Sequence, residues 1–363
     1  MRKRLIALLV ITPLLLSSQI YASNAAAKAG AKCSKVGSKS VVGSKTFTCI
    51  KSGNKLIWDK GASQSSGKNI DAREQAYNSV RLIYNTYQNK SPKNKIQIIS
   101  NSSVKQSIVI EVRNRTTNFL KFFGDEAESI NLHIIIGNNE TTSWTAQELT
   151  KADPANASSY ASWETWFKGN LNKSNRCKAW NAGNHGFSAD GSVLLSFTLY
   201  PNDCTNPLDI VWKTTVEHEI IGALQRVWSE KRDDLLPCWL NEGQQVYYGS
   251  VLGAAKNFPE FKEVFSWHKR YKRQDLMTAA KRLGYGVNSG TCGQEGGYEA
   301  GRLLVEQLIY QFGHEALISF TKAIVNTPGQ DSEKWKVAFE NQYKVSYDKW
   351  LEKVVPEIEK REL

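Results

Sequence analysis

Apolar positions follow different rhythms along the chain. At the N-terminus, Arg2, Lys3 and Arg4 precede an apolar run over residues 5–16, with small residues at Ala22, Ser23 and Ala25. The run is too short for a bilayer core about 30 Å thick. This order predicts a cleavable secretory signal peptide over residues 1–25, cut after Ala22 or Ala25. Lys32 directly before Cys33 argues against lipid attachment there. The mature chain is expected to be secreted, without a transmembrane segment.

Residues 31–61 carry short strand-like stretches. Val41, Val42 and Phe47 are followed by Leu56, Ile57 and Trp58 after a Gly53-Asn54 turn, which predicts a small β-hairpin module. Residues 62–69 are polar and Ser-rich and read as a linker. From residue 70 the rhythm is helical: Ala76, Val80, Ile83 and Tyr84 recur at helical spacing, and residues 104–123 repeat it until Gly124. Residues 132–136 read as a short buried strand, and Val193, Leu195, Phe197 and Leu199 alternate onto one face of another. Beyond Pro201 the pattern is helical, with stops at Pro237, Gly290 and Pro328. Strands early and helices late predict an α+β domain over residues 70–363, not a repeating βαβ arrangement.

Composition narrows the class. A chain of 363 residues that is 41% hydrophobic and 10% aromatic folds as a globular protein. Its formal charge of +12 falls to about +9 without Arg2, Lys3 and Arg4. The remaining cations are scattered, which together with export argues against nucleic acid, so the charge reads mainly as solubility, with weak affinity for anionic wall polymers. Six cysteines fit an oxidising compartment. Their order suggests Cys33 with Cys49, Cys177 with Cys204 and Cys238 with Cys292 among the alternatives six cysteines allow.

The chemistry concentrates in residues 214–225, Thr-Thr-Val-Glu-His-Glu-Ile-Ile-Gly-Ala-Leu-Gln. Val216, Ile220, Ala223, Leu224 and Val227 form one helical stripe, with His218, Gly222 and Gln225 nearly opposite. Downstream come Pro237-Cys238-Trp239-Leu240-Asn241-Glu242-Gly243, then Tyr298-Glu299-Ala300-Gly301 ahead of a long helix ending at Phe312-Gly313. In this order, over residues 131–349, the segments resemble the gluzincin metallopeptidases and their clan-MA-like bacterial members.

The resemblance implies a zincin-like α+β domain with a small early sheet and a mostly helical C-terminal half, behind a disulfide-stapled β-hairpin module. It implies zinc ligands at His218 and Glu242, a general base at Glu219 and an oxyanion-stabilising Tyr298. The family's second histidine falls on Gly222, which has no side chain. A catalytic zinc takes three protein ligands plus water, so the resemblance implies zinc that is weakly held or absent. Gln225, one turn further on, is a poor zinc ligand, and His185 is the only other candidate donor. His133, His268 and His314 lack ligand spacing and read as structural or surface residues, with His314 capping a helix start. No G-x-S-x-G elbow or phosphate-binding glycine loop is present.

The expected function is that of a metallopeptidase-like protein, catalytically impaired, binding peptide or cell-wall polymer in its cleft. An active zinc peptidase with a non-standard third ligand and a purely structural surface protein are the alternatives.

Overall fold

The computed structural model describes residues 30–33, 39–42, 45–52, 55–58, 62–63, 71–87, 93–171, 176–177, 180–204, 209–268, 276–284, 292 and 297–362. The expected signal peptide and most of the expected linker lie outside them. The chain forms two compact units, residues 1–69 and 70–363.

In the first unit, β2 (Lys45–Ser52) pairs antiparallel with β1 (Lys39–Val42), β3 (Lys55–Trp58) and β4 (Ala62–Ser63). The hairpin is therefore part of a four-stranded sheet. Cys33 and Cys49 are joined, with Cα atoms 5.9 Å apart, and are buried with Phe47. Closing this loop contributes about 3 kcal/mol by limiting the unfolded chain, which offsets the lack of a larger core.

The second unit opens with α1 (Ala72–Tyr87), where Ala76 and Val80 are buried. It contains a sheet of β5 (Ile96–Ser100), β6 (Leu132–Asn138), β7 (Asn181–Phe187) and β8 (Val193–Leu199) in the order β5-β6-β8-β7. The first three strands in that order are parallel, and β7 runs antiparallel at the edge. The parallel pairing within this sheet was not expected. Two crossovers are of the parallel type, one through α2 (Gln106–Phe123) and one through α3 (Thr142–Ala152) and α4 (Ala157–Asn170). Single strands sandwiched between helices show no long alternating signal.

Val193, Leu195, Phe197 and Leu199 do share one face, in the main core with Ile134 and Ile136. On the reverse face, Ile135 and Leu194 form a second core with Leu149, Ala152 and Tyr160. A disulfide between Cys177 and Cys204, Cα atoms 5.3 Å apart, links the segments flanking the β7-β8 pair.

The remainder is helical: α5 (Asp209–Trp228), α6 (Cys238–Tyr248), α7 (Phe258–His268), α8 (Leu276–Arg282), α9 (Gly297–Phe312), α10 (His314–Asn326), α11 (Lys334–Tyr343) and α12 (Tyr347–Glu362). The unit is thus α+β, with its sheet early and helices late. No described helix is long and apolar enough to cross a membrane, and three disulfides suit an oxidising, extracytoplasmic compartment.

The α6 and α9 helices cross at close range. A methyl group on Gly301 would lie 3.0 Å from the Gly243 Cα and closer still to the Trp239 carbonyl. Cys238 and Cys292, Cα atoms 5.7 Å apart, close the same junction with the expected disulfide. The Gly297 N–H, at the start of α9, donates to the Cys292 carbonyl at 3.0 Å. Gly301→Ala is predicted to destabilise the protein by about 3 kcal/mol through overpacking. Gly169→Ala, in an α4 position with nothing within 4 Å of the new methyl, is predicted to stabilise by up to about 1 kcal/mol. Urea denaturation of the two variants checks this, and a Gly301→Ala no weaker than Gly169→Ala would contradict the close crossing.

Candidate functional site

The α5 helix is set in rotation by contacts on two sides. Val216, Ile220, Ala223 and Leu224 are fully buried in the core. On another side, the Arg115 Nε of α2 donates to Glu217 Oε1 at 3.0 Å, fixing a buried carboxylate within its own ion pair. His218 and Glu219 are left partly exposed. Gln225 does not share that opening. Its side chain is completely buried, correcting the expected open face from 218 to 225.

The α6 helix is submerged. Trp239 stacks on Tyr347 at 5.3 Å and meets Trp335 edge-on at 6.1 Å. Of its eleven residues, Glu242 alone is not buried. A helix sunk in a core and open at one carboxylate has that opening aimed at whatever faces it, which here is α5. His218 Nε2 lies 3.9 Å from Glu242 Oε2. That is too long for a hydrogen bond, and Glu242 Oε2 is a buried oxygen that accepts none among the described residues. The Tyr298 ring, on the first turn of α9, is 6.0 Å from the His218 ring. His218, Glu242 and Tyr298, which lie in three motifs of the sequence and which the resemblance assigns to one site, therefore lie together, and Tyr298 borders the site at partial exposure.

Electrostatics tie Glu219 to the same group. Burial, and then the nearby Glu242 carboxyl, push Glu219 up to about 8. Burial pushes Glu242 up to about 7. Burial is the larger cause for both, so each carboxyl holds its proton to higher pH than an exposed one does.

No family model matches this chain, and neither a curated protein nor a solved structure matches it.

The described residues do not assemble the donor set of a catalytic zinc ion. His218 and Glu242 supply two donors where three are needed, and no group of three metal-ligating side chains converges among the described residues. His185 is committed elsewhere. Its Nε2 is 2.7 Å from Ser196 Oγ, its ring meets Tyr160 edge-on, and burial pushes it down to about 4. His314 is structural, buried against Phe122 with Nδ1 2.6 Å from the Tyr248 hydroxyl. His133 is only half-buried and is pushed down by desolvation.

Position 222 holds the larger surprise. A Cβ on Gly222 would lie 3.3 Å from Cδ and Oε1 of Gln245 and 3.4 Å from its Nε2. The space beside this glycine is occupied by a carboxamide from the facing helix. Sequence reasoning passed over Gln244 and Gln245, although two adjacent glutamines in a helix whose one charge is Glu242 were a visible sign of a buried polar contact.

The raised carboxyls give a pH prediction. The unfolded chain loses these protons near the ordinary 4.5, whereas the folded protein keeps them to about 7 and 8. Folding stability therefore falls as pH rises from about 4.5 through 8. Relative to the parent, Glu219→Gln is expected to be near neutral at pH 4 and more stable at pH 8.5, by on the order of 2 kcal/mol. Urea denaturation at both pH values tests this, and a variant-to-parent difference independent of pH would refute it.

Proposed function

We propose that this protein is an extracytoplasmic binding protein with a metallopeptidase-like cleft, holding a peptide or cell-wall polymer without hydrolysing it. The observation that carries this reading is Glu242 Oε2. Among the described residues it is a buried acceptor without a hydrogen bond, on the one residue of a submerged helix that is not buried, 3.9 Å from His218 Nε2. Buried acceptors are rarely left unmade, because each costs about 1–3 kcal/mol. A ligand donor arriving between the two side chains removes that cost.

Peptide amides and glycan hydroxyls both supply such donors. The Tyr298 ring beside His218 adds an apolar face with a polar tip. The net positive charge favours polymers that carry phosphate or carboxylate groups. Hydrolysis by a metal-activated water asks for a third ligand that position 222 does not provide, so the reading is of a protein that binds and does not cut.

The mature protein, titrated calorimetrically with peptidoglycan fragments and with unstructured peptides, is expected to bind one of the two saturably. Mass spectrometry is expected to find no cleavage product. Glu242→Ala and His218→Ala are expected to weaken binding at least tenfold. Stoichiometric zinc in the purified parent, lost in His218→Ala and accompanied by peptide cleavage, would instead establish an active peptidase. Absence of binding to either ligand class would leave the structural reading.

A further inference from the structure

A glycine where a metal-binding histidine is expected invites a simple account, in which only one side chain is missing and restoring it restores the metal. The packing around Gly222 points elsewhere. The Gln245 carboxamide presents Cδ, Oε1 and Nε2 at nearly equal distances, 3.3, 3.3 and 3.4 Å, from the position of a Cβ at 222. A group so placed lies broadside across the direction in which a side chain would leave the helix. At 3.3 Å a lone methyl already presses on it, and the larger ring of an imidazole needs the volume the amide fills.

Gln245 is also not at liberty to swing away. Its Nε2 donates to Gln225 Oε1 at 3.1 Å and to Asn241 Oδ1. Gln225 Nε2 in turn donates to the Asn241 carbonyl at 3.1 Å and to Gln244 Oε1 at 2.6 Å. Gln244 Nε2 donates to Thr321 Oγ1 at 2.8 Å. Gln225, Gln244 and Thr321 have no exposed surface, and Gln245 retains 9%. This ladder of amides joins α5, α6 and α10, and moving Gln245 strips donors from two acceptors at once. Such networks hold their members strongly because a half-satisfied set costs more than none.

We propose that Gln245, held by Gln225 and Asn241, occupies the space a metal-binding side chain at position 222 would need, so that this amide ladder keeps the cleft metal-free. The inference rests on the reading of His218 and Glu242 as one cleft. It makes residue 245 the determinant of what the cleft accepts: neutral hydrogen-bonding groups in place of a transition-metal ion.

Zinc titration by calorimetry, on folded and fully disulfide-bonded protein, separates the possibilities. Gly222→His alone is expected to bind zinc within threefold of the parent and to melt at a lower temperature. The pair Gly222→His with Gln245→Ala is expected to bind zinc at least a hundredfold more tightly, and adding His218→Ala to abolish the gain. Because Gln245→Ala leaves Gln225 Oε1 and Asn241 Oδ1 without their donor, Gly222→His with Gln245→Asn serves as a second, milder pair, judged by circular dichroism to be folded. Tight binding by Gly222→His alone would overturn the inference and leave the cleft reading in place. A folded pair that gains no zinc affinity would also overturn it. The cleft reading itself stands or falls separately, on metal-free binding of peptide or wall polymer by the parent.

Discussion

The contact on which the site depends is the crossing of α6 and α9 at Gly243 and Gly301. With no side chain on either residue, the backbones approach until the Trp239 carbonyl and the Gly301 backbone leave no room for a methyl. That approach carries Glu242, the neighbour of Gly243, and Tyr298, one helical turn before Gly301, to the same side of α5. The Cys238–Cys292 disulfide spans the N-terminal ends of the two helices, so chain connectivity and packing impose the same arrangement. Separating these helices by the thickness of a methyl would move both side chains relative to His218.

What the crossing creates is a site with an excess of acidic groups and a shortage of ligands. Two carboxyls share a poorly solvated space, and burial raises both. A divalent cation would relieve that, but among the described residues the coordination it needs is incomplete, and the amides beside Gly222 are good hydrogen-bond partners and poor zinc ligands. Burying glutamine and asparagine side chains is costly unless every donor and acceptor is used. The ladder from Gln245 to Thr321 meets that condition closely, which suits a permanent part of the fold better than a vacancy.

The disulfides do different work in the two units. In the first, Cys33–Cys49 stands in for a core that a few apolar side chains cannot supply. In the second, a large core already exists, and the remaining two bonds sit at edges: one beside the antiparallel strand pair, one at the junction of α6 and α9. Stability is therefore reinforced where loops leave the core, and the Cys238–Cys292 bond lies next to the cleft.

By itself the sequence determined what is local. Spacing in residues 104–123 with Gly124 defines a helix whose terminating glycine adopts φ 52°. Alternation from Val193 to Leu199 assigns one face of a strand, and cysteine order suggested the three pairs that form without choosing them over the alternatives, the isolated Cys33 and Cys49 excepted. The local pattern placed His218, Glu242 and Tyr298 in three motifs that only the family resemblance joined into one site, and left strands β5 and β7 unseen, because short strands whose partners lie distant in sequence leave little periodic trace. Tertiary structure alone decided the distances at which these side chains stand, that Gln225 is buried and that Gln245 fills the place beside Gly222. The physical reason is that an absent side chain defines a space, and which atoms enter that space depends on how closely two helices pack.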